Sequence, residues 1–173
     1  MKIKTNELVK AALFLALGLI LPYVFHITGG MAGQMLLPMH IPVLLCGFVL
    51  GERYGLIVGV LTPLLNAVFT GMPPIYPTAV AMMLELGTYG FASGYLYKNK
   101  RANVFVSLII AMLLGRFVSG IANFILLSMA GKSYMFAAFL TSSFVTPIWG
   151  IIIQIILIPI IVRAINKYMK KAA

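Results

Sequence analysis

Apolar residues in this chain fall in runs, not in alternating or striped patterns. The runs are Ala11 to Phe25, about Met39 to Leu50, Tyr54 to Phe69, Thr78 to Tyr97, Val104 to Met129 and Phe144 to Ile165, with a short apolar segment at Met135 to Leu140 before the last. About 20 apolar residues cross a bilayer as a helix. The pattern therefore predicts an all-α integral membrane protein: one domain over residues 1–173, folded as a bundle of six transmembrane helices. The breaks between runs carry turn chemistry. Gly29, Gly30 and Gly33 with Pro38 and Pro42 form the first break, Gly51-Glu52-Arg53 the second and Gly71-Met72-Pro73-Pro74 with Pro77 the third. Lys98-Asn99-Lys100-Arg101 and Gly131-Lys132-Ser133 supply the last two.

Composition sharpens this reading. Of 173 residues, 62% are apolar and 9% charged, and the mean hydropathy is +1.06. A soluble domain carries about a quarter charged residues, and a disordered chain lacks the apolar ones. The net charge of +10 does not indicate nucleic-acid binding, because the basic residues cluster between apolar runs. Instead it orients the bundle. Lys2, Lys4, Lys10, Arg53, Lys98, Lys100, Arg101, Arg163, Lys167, Lys170 and Lys171 occupy the two ends and the even-numbered connections; the odd-numbered connections hold Lys132 alone. Both termini are accordingly expected on the cytoplasmic side. A cleaved signal peptide over residues 1–30 is the rival reading of the charged start, but no clean small-x-small site follows and Glu7 interrupts the basic region.

The acidic residues are Glu7, Glu52 and Glu85, with no aspartate, and the one cysteine is Cys46. Two-metal chemistry and cysteine metal clusters have no residues to work with, so no metal or other cofactor is expected. Ser142 and Ser143 have no histidine at comparable depth, because His26 and His40 lie at the outer edge; an enzyme is not expected. Glu85 and Arg116 are ionisable residues inside spans, where such groups face a bundle interior or a cavity. Glu85 lies roughly 12 Å below the outer surface at 1.5 Å per residue. Tyr89 shares its face, and Ser119, Gly120 and Asn123 follow Arg116 at helical spacing. Thr62 and Asn66 share a face of the third span, and Thr146, Gly150 and Gln154 a face of the sixth. These groups converge on the outer half of the bundle, beneath long uncharged loops rich in Gly, Pro, Met and Tyr. Alternatives stay open. Glu85 and Arg116 either pair with each other or contact a ligand, Asn66 and Asn123 either glue helices together or bind, and the loops either cover a pocket or merely connect. Glu85, Tyr89, Arg116 and Asn123 are the preferred ligand contacts, followed by Asn66, Tyr76 and His40.

The first span also contains Ala12-Leu13-Phe14-Leu15-Ala16, a strip of small residues four apart where another helix can approach closely. Gly55 and Gly59 repeat the spacing on the third span and are read as a possible extension of the strip. With six spans, basic cytoplasmic ends, Leu37-Pro38-Met39-His40-Ile41-Pro42, Gly71-Met72-Pro73-Pro74-Ile75-Tyr76-Pro77 and Met83-Leu84-Glu85-Leu86-Gly87-Thr88-Tyr89-Gly90, the chain resembles the substrate-binding S component of an energy-coupling factor (ECF) vitamin transporter. These segments are similar to those of a subset that includes pantothenate-type S components. The resemblance implies high-affinity capture of a vitamin from outside and contact of Ala12 and Ala16 with a transmembrane coupling protein. It also implies two cytoplasmic ATPase subunits and toppling of the S component in a bacterial plasma membrane. The chain has no Gly-x-x-x-x-Gly-Lys-Ser/Thr loop of its own, which agrees with that division of labour. Arg116 or His40 suits the carboxylate of pantothenate; pyridoxine, a thiamine-precursor pyrimidine or folate remain alternatives. A self-sufficient secondary transporter using Glu85 as proton relay and a ligand-free membrane scaffold are the competing classes.

Overall fold

The computed structural model describes residues 5–27, 33 and 35–171, and every regular element among them is helical. Lys2, Lys4, Gly29 and Gly30 lie outside the described residues. In chain order the elements are α1 (Thr5–Ile27), α2 (His40–Leu50), α3 (Glu52–Thr70), α4 (Val80–Gly94), α5 (Val104–Met129), a short α6 (Phe136–Leu140) and α7 (Ile148–Lys171). Wide π-helical turns at Ile75–Ala79 and Tyr95–Asn99 extend α4 at both ends, and another at Thr141–Val145 continues α6.

Among the described residues, four helices are long and apolar enough to cross a membrane: Thr5–Val24, Glu52–Thr70, Val104–Met129 and Ile148–Tyr168. The fifth expected run, Val104 to Met129, coincides with α5 to the residue. Met39 to Leu50 forms the shorter α2, and the Thr78 to Tyr97 run is divided into α4 and its flanking π-turns. The sixth run shifts: Phe144 and Val145 belong to the π-turn, and α7 starts after Pro147 and continues to Lys171. A proline cannot extend the preceding turn with its own N–H, and here it separates the two elements.

Large apolar side chains such as Leu13, Ile20 and Tyr23 of α1, Phe117 and Phe124 of α5, and Ile156 and Ile160 of α7 are exposed. In a bilayer these faces meet lipid, which is as apolar as they are. The interior is held instead by close contact of small residues. A methyl group on Gly55 would overlap the Gly90 carbonyl, one on Gly90 the Gly55 carbonyl, and one on Gly59 the Leu86 carbonyl. Gly47 similarly meets Gly90 and Ser93, and Gly94 meets the backbone at Gly51 and Glu52. α2, α3 and α4 thus pack backbone to backbone. Gly55 and Gly59 are buried in this contact, so they do not extend the α1 strip as the spacing alone suggested. α1 joins through Gly18, whose missing side chain leaves room for Thr62, and through Asn66, which donates to the Gly18 carbonyl at 3.2 Å.

Candidate polar binding layer

An apolar cluster runs through the middle of the bundle and includes Leu44 of α2, Tyr89 of α4, Met112 of α5 and Ile158 of α7. One turn from the first three, toward the same end, stand His40, Glu85 and Arg116. Successive helices joined by short turns run antiparallel, so four residues back on α2 and α4 and four residues forward on α5 lead the same way. One turn is about 5.4 Å.

These three residues and Tyr89 form a connected group. His40 Nε2 lies 3.8 Å from Glu85 Oε1. The Tyr89 hydroxyl donates to the same oxygen at 3.0 Å. The His40 and Tyr89 rings are 5.4 Å apart, inclined by 56°. Gly115 makes room for this arrangement, since a side chain there would overlap the Tyr89 ring. Arg116 contributes its charge to the surroundings of Glu85 without pairing with it. Its Nη1 donates to the Ser143 carbonyl instead, and its guanidinium lies over the Phe144 ring at 5.4 Å. Among the described residues, the basic side chain within 4 Å of the Glu85 carboxylate is His40 and not Arg116.

Polar atoms buried in a membrane protein normally find partners. Here His40 Nδ1 and Arg116 Nη2 have none. Arg116 is 3% exposed and His40 likewise 3%, so bulk water does not serve them. A guanidinium with one arm satisfied and the other open can take an acceptor such as a carboxylate or carbonyl oxygen, and the open imidazole nitrogen beside it donates or accepts according to its tautomer.

The other expected contacts are distributed differently. Asn123 is half-buried two turns along α5 from Arg116 and donates to the Ser119 carbonyl at 2.9 Å. Asn66 is buried, and its amide nitrogen serves Gly18 and Thr62 carbonyls, which ties it to α1. Tyr76 is half-exposed and donates its hydroxyl to the Leu126 carbonyl, pinning the segment before α4 to the end of α5. Ala12 is exposed and Ala16 half-buried on α1, beside exposed Leu8, Leu13 and Ile20. Ser143, weighed in the sequence only as a nucleophile, and Phe144 are partners of Arg116 that the sequence reading does not connect with it. A backbone carbonyl leaves no mark in the residue pattern, so nothing in the sequence pointed to Ser143. An adjacent cleft of about 410 Å³ lies between Phe117, Gly120, Ile121 and Phe124 of α5 and Tyr134, Phe136 and Phe139; its walls are apolar, and it flanks the polar group without containing it.

A helical membrane bundle with a small buried polar centre fits a solute-binding membrane subunit. The family model of the ECF transporter, substrate-specific component, matches residues 6–162. The chain belongs to that family and is a substrate-specific component of an ECF transporter, a multi-pass membrane protein of a non-enzyme family. Membership implies a substrate and an energy-coupling module. No curated protein and no solved structure matches the chain.

Proposed function

We propose that this chain captures a water-soluble vitamin, pantothenate first, at the His40–Glu85–Arg116 layer and hands it to a coupling protein driven by two cytoplasmic ATPases. The observation that carries the reading is the open Nη2 of an arginine buried inside the bundle. An unpaired buried charge costs several kcal/mol, and a ligand carboxylate relieves that cost. Tyr89 and Asn123 flank the layer as further contacts, with Asn66 and Tyr76 more distant. Ala12 and Ala16 form the face for the coupling helix. The topology we propose has six spans with both termini in the cytoplasm of a bacterial cell, and delivery proceeds by toppling of the whole 1–173 domain.

Native mass spectrometry of the purified chain, mixed with pantothenate, tests this directly. The expected result is one pantothenate retained per chain, lost in Arg116→Ala. Retention of pyridoxine, a pyrimidine or folate in its place reassigns the vitamin. A chain that retains none of them refutes the binding role of the layer.

A further inference from the structure

We infer that Gln154 is a direct substrate contact: it forms the fourth wall of the polar layer and reads a neutral group on the substrate that both donates and accepts a hydrogen bond. The inference rests on the reading of this layer as the binding site. Gln154 lies on α7 and is fully buried, yet neither its amide nitrogen nor its amide oxygen has a partner. An amide offers two donor hydrogens and an acceptor oxygen. Leaving all of them unmet in a low-dielectric interior is costly.

One contact near the start of α7 and one helical register against α5 relate Gln154 to the layer. A side chain on Gly150 would lie 2.8 Å from the Leu36 carbonyl, so Gly150 and Leu36 are level. The turn around Leu37 to Met39 leads from Leu36 into α2, so this contact seats the first turns of α7, four residues before Gln154, beside the entry to α2. On the other side, the Arg163 guanidinium lies over Phe105 at 5.3 Å, and α7 runs antiparallel to α5. Nine residues back from Arg163 is Gln154; nine residues on from Phe105 is Leu114, beside Gly115 and within a turn of Arg116. Ile158, one turn further along α7, belongs to the same apolar cluster as Leu44, Tyr89 and Met112. Each of the four helices therefore contributes one polar residue, one turn above one member of that cluster.

The partnerless buried side-chain atoms among the described residues are His40 Nδ1, Arg116 Nη2, both Gln154 amide atoms and Ser107 Oγ. The first four belong to this layer; Ser107 lies nine residues before Arg116 on α5. What they lack defines the substrate. Arg116 needs an acceptor. Gln154 needs an acceptor and a donor side by side, which a carboxylate alone does not supply because it would face the amide oxygen with a second acceptor. An amide or a hydroxyl does supply both. The substrate class is thus a small acid or carbonyl compound that also carries an amide or hydroxyl a few ångströms away.

The test compares wild type with Gln154→Met, an unbranched apolar side chain of similar length, in ligand-stripped protein, by thermal unfolding with and without pantothenate. Without pantothenate, the variant is expected to unfold at the same or a higher temperature, because it removes an unmet amide. With pantothenate, its affinity is expected to fall by roughly 10-fold or more, the effect of about one hydrogen bond to a buried partner. Lower stability without pantothenate shows that the amide is satisfied within the fold and overturns the assignment; undiminished affinity overturns it equally. A wild-type protein that ignores pantothenate defeats the vitamin assignment alone. In that case the unliganded stability decides for Gln154: a stabilised variant supports an amide awaiting a substrate, and a destabilised one overturns it.

Discussion

Arg116 divides its guanidinium between two tasks: Nη1 holds the Ser143 carbonyl and Nη2 is open. Arg116→Lys keeps the charge but has no planar fork to serve both directions. We expect pantothenate affinity to fall in both Arg116→Lys and Arg116→Ala, with alanine worse. A hydrogen-bonded charge is worth roughly 1.5–3 kcal/mol, or about 10- to 150-fold in affinity; titration calorimetry in detergent measures it. A full-affinity Arg116→Ala protein would remove the arginine from the site. Because Glu85 faces His40 and not Arg116, the combined Glu85→Gln and Arg116→Gln protein is expected to bind no better than the weaker single variant. Recovery of stability and binding in the double would show a direct Glu85–Arg116 pair. That Arg116 turns into the bundle interior was legible in the sequence, since ionisable groups inside apolar runs are few. Which one faces which was not, because Arg116 finds its partner 27 residues away on a main-chain oxygen.

Helix positions were legible for the same reason that membrane spans are: a backbone in hydrocarbon satisfies itself only as a helix or a closed barrel. α5 is bounded as the apolar run is, with Asn103 capping its start by accepting from the Phe105 N–H at 3.1 Å. Helix neighbours were less legible. Gly55 and Gly59 carry the same spacing as Ala12 and Ala16, and small-xxx-small spacing says that a helix approaches without saying which one. In the fold the glycines meet α4 and the alanines remain at the outer face of α1. This makes the α3–α4 contact sensitive to a single methyl group. Gly90→Ala is expected to destabilise the purified protein by about 1–3 kcal/mol, the usual cost of overpacking, because the Gly55 backbone has no side chain to swing aside. A thermal melt matching wild type would show that the two helices are not in such close contact.

For the molecule as a whole, the charge pattern gives the topology its test. Lys2→Cys and Lys100→Cys proteins should resist impermeant thiol reagents in intact cells and react after permeabilisation; native Cys46 is buried and contributes no background. Labelling of either from outside would reverse the orientation. Ala12→Trp is expected to abolish uptake through the coupling module while leaving pantothenate binding intact, since Ala12 is exposed and belongs to no part of the polar layer. Joint loss of both would make the strip internal packing. The way Arg116 is fixed also bears on how long a substrate stays. With one arm on the Ser143 carbonyl and its face on Phe144, the side chain is immobilised before any ligand arrives. Ordering a rotamer-rich side chain on binding costs about 0.5–1.5 kcal/mol, and here that ordering belongs to folding. Differences in affinity among variants of one site reside mostly in the rate of departure. Loosening the arginine by Phe144→Leu should therefore shorten the residence time of pantothenate while changing its rate of capture little, turning a slow-release receptor into a fast-exchanging one.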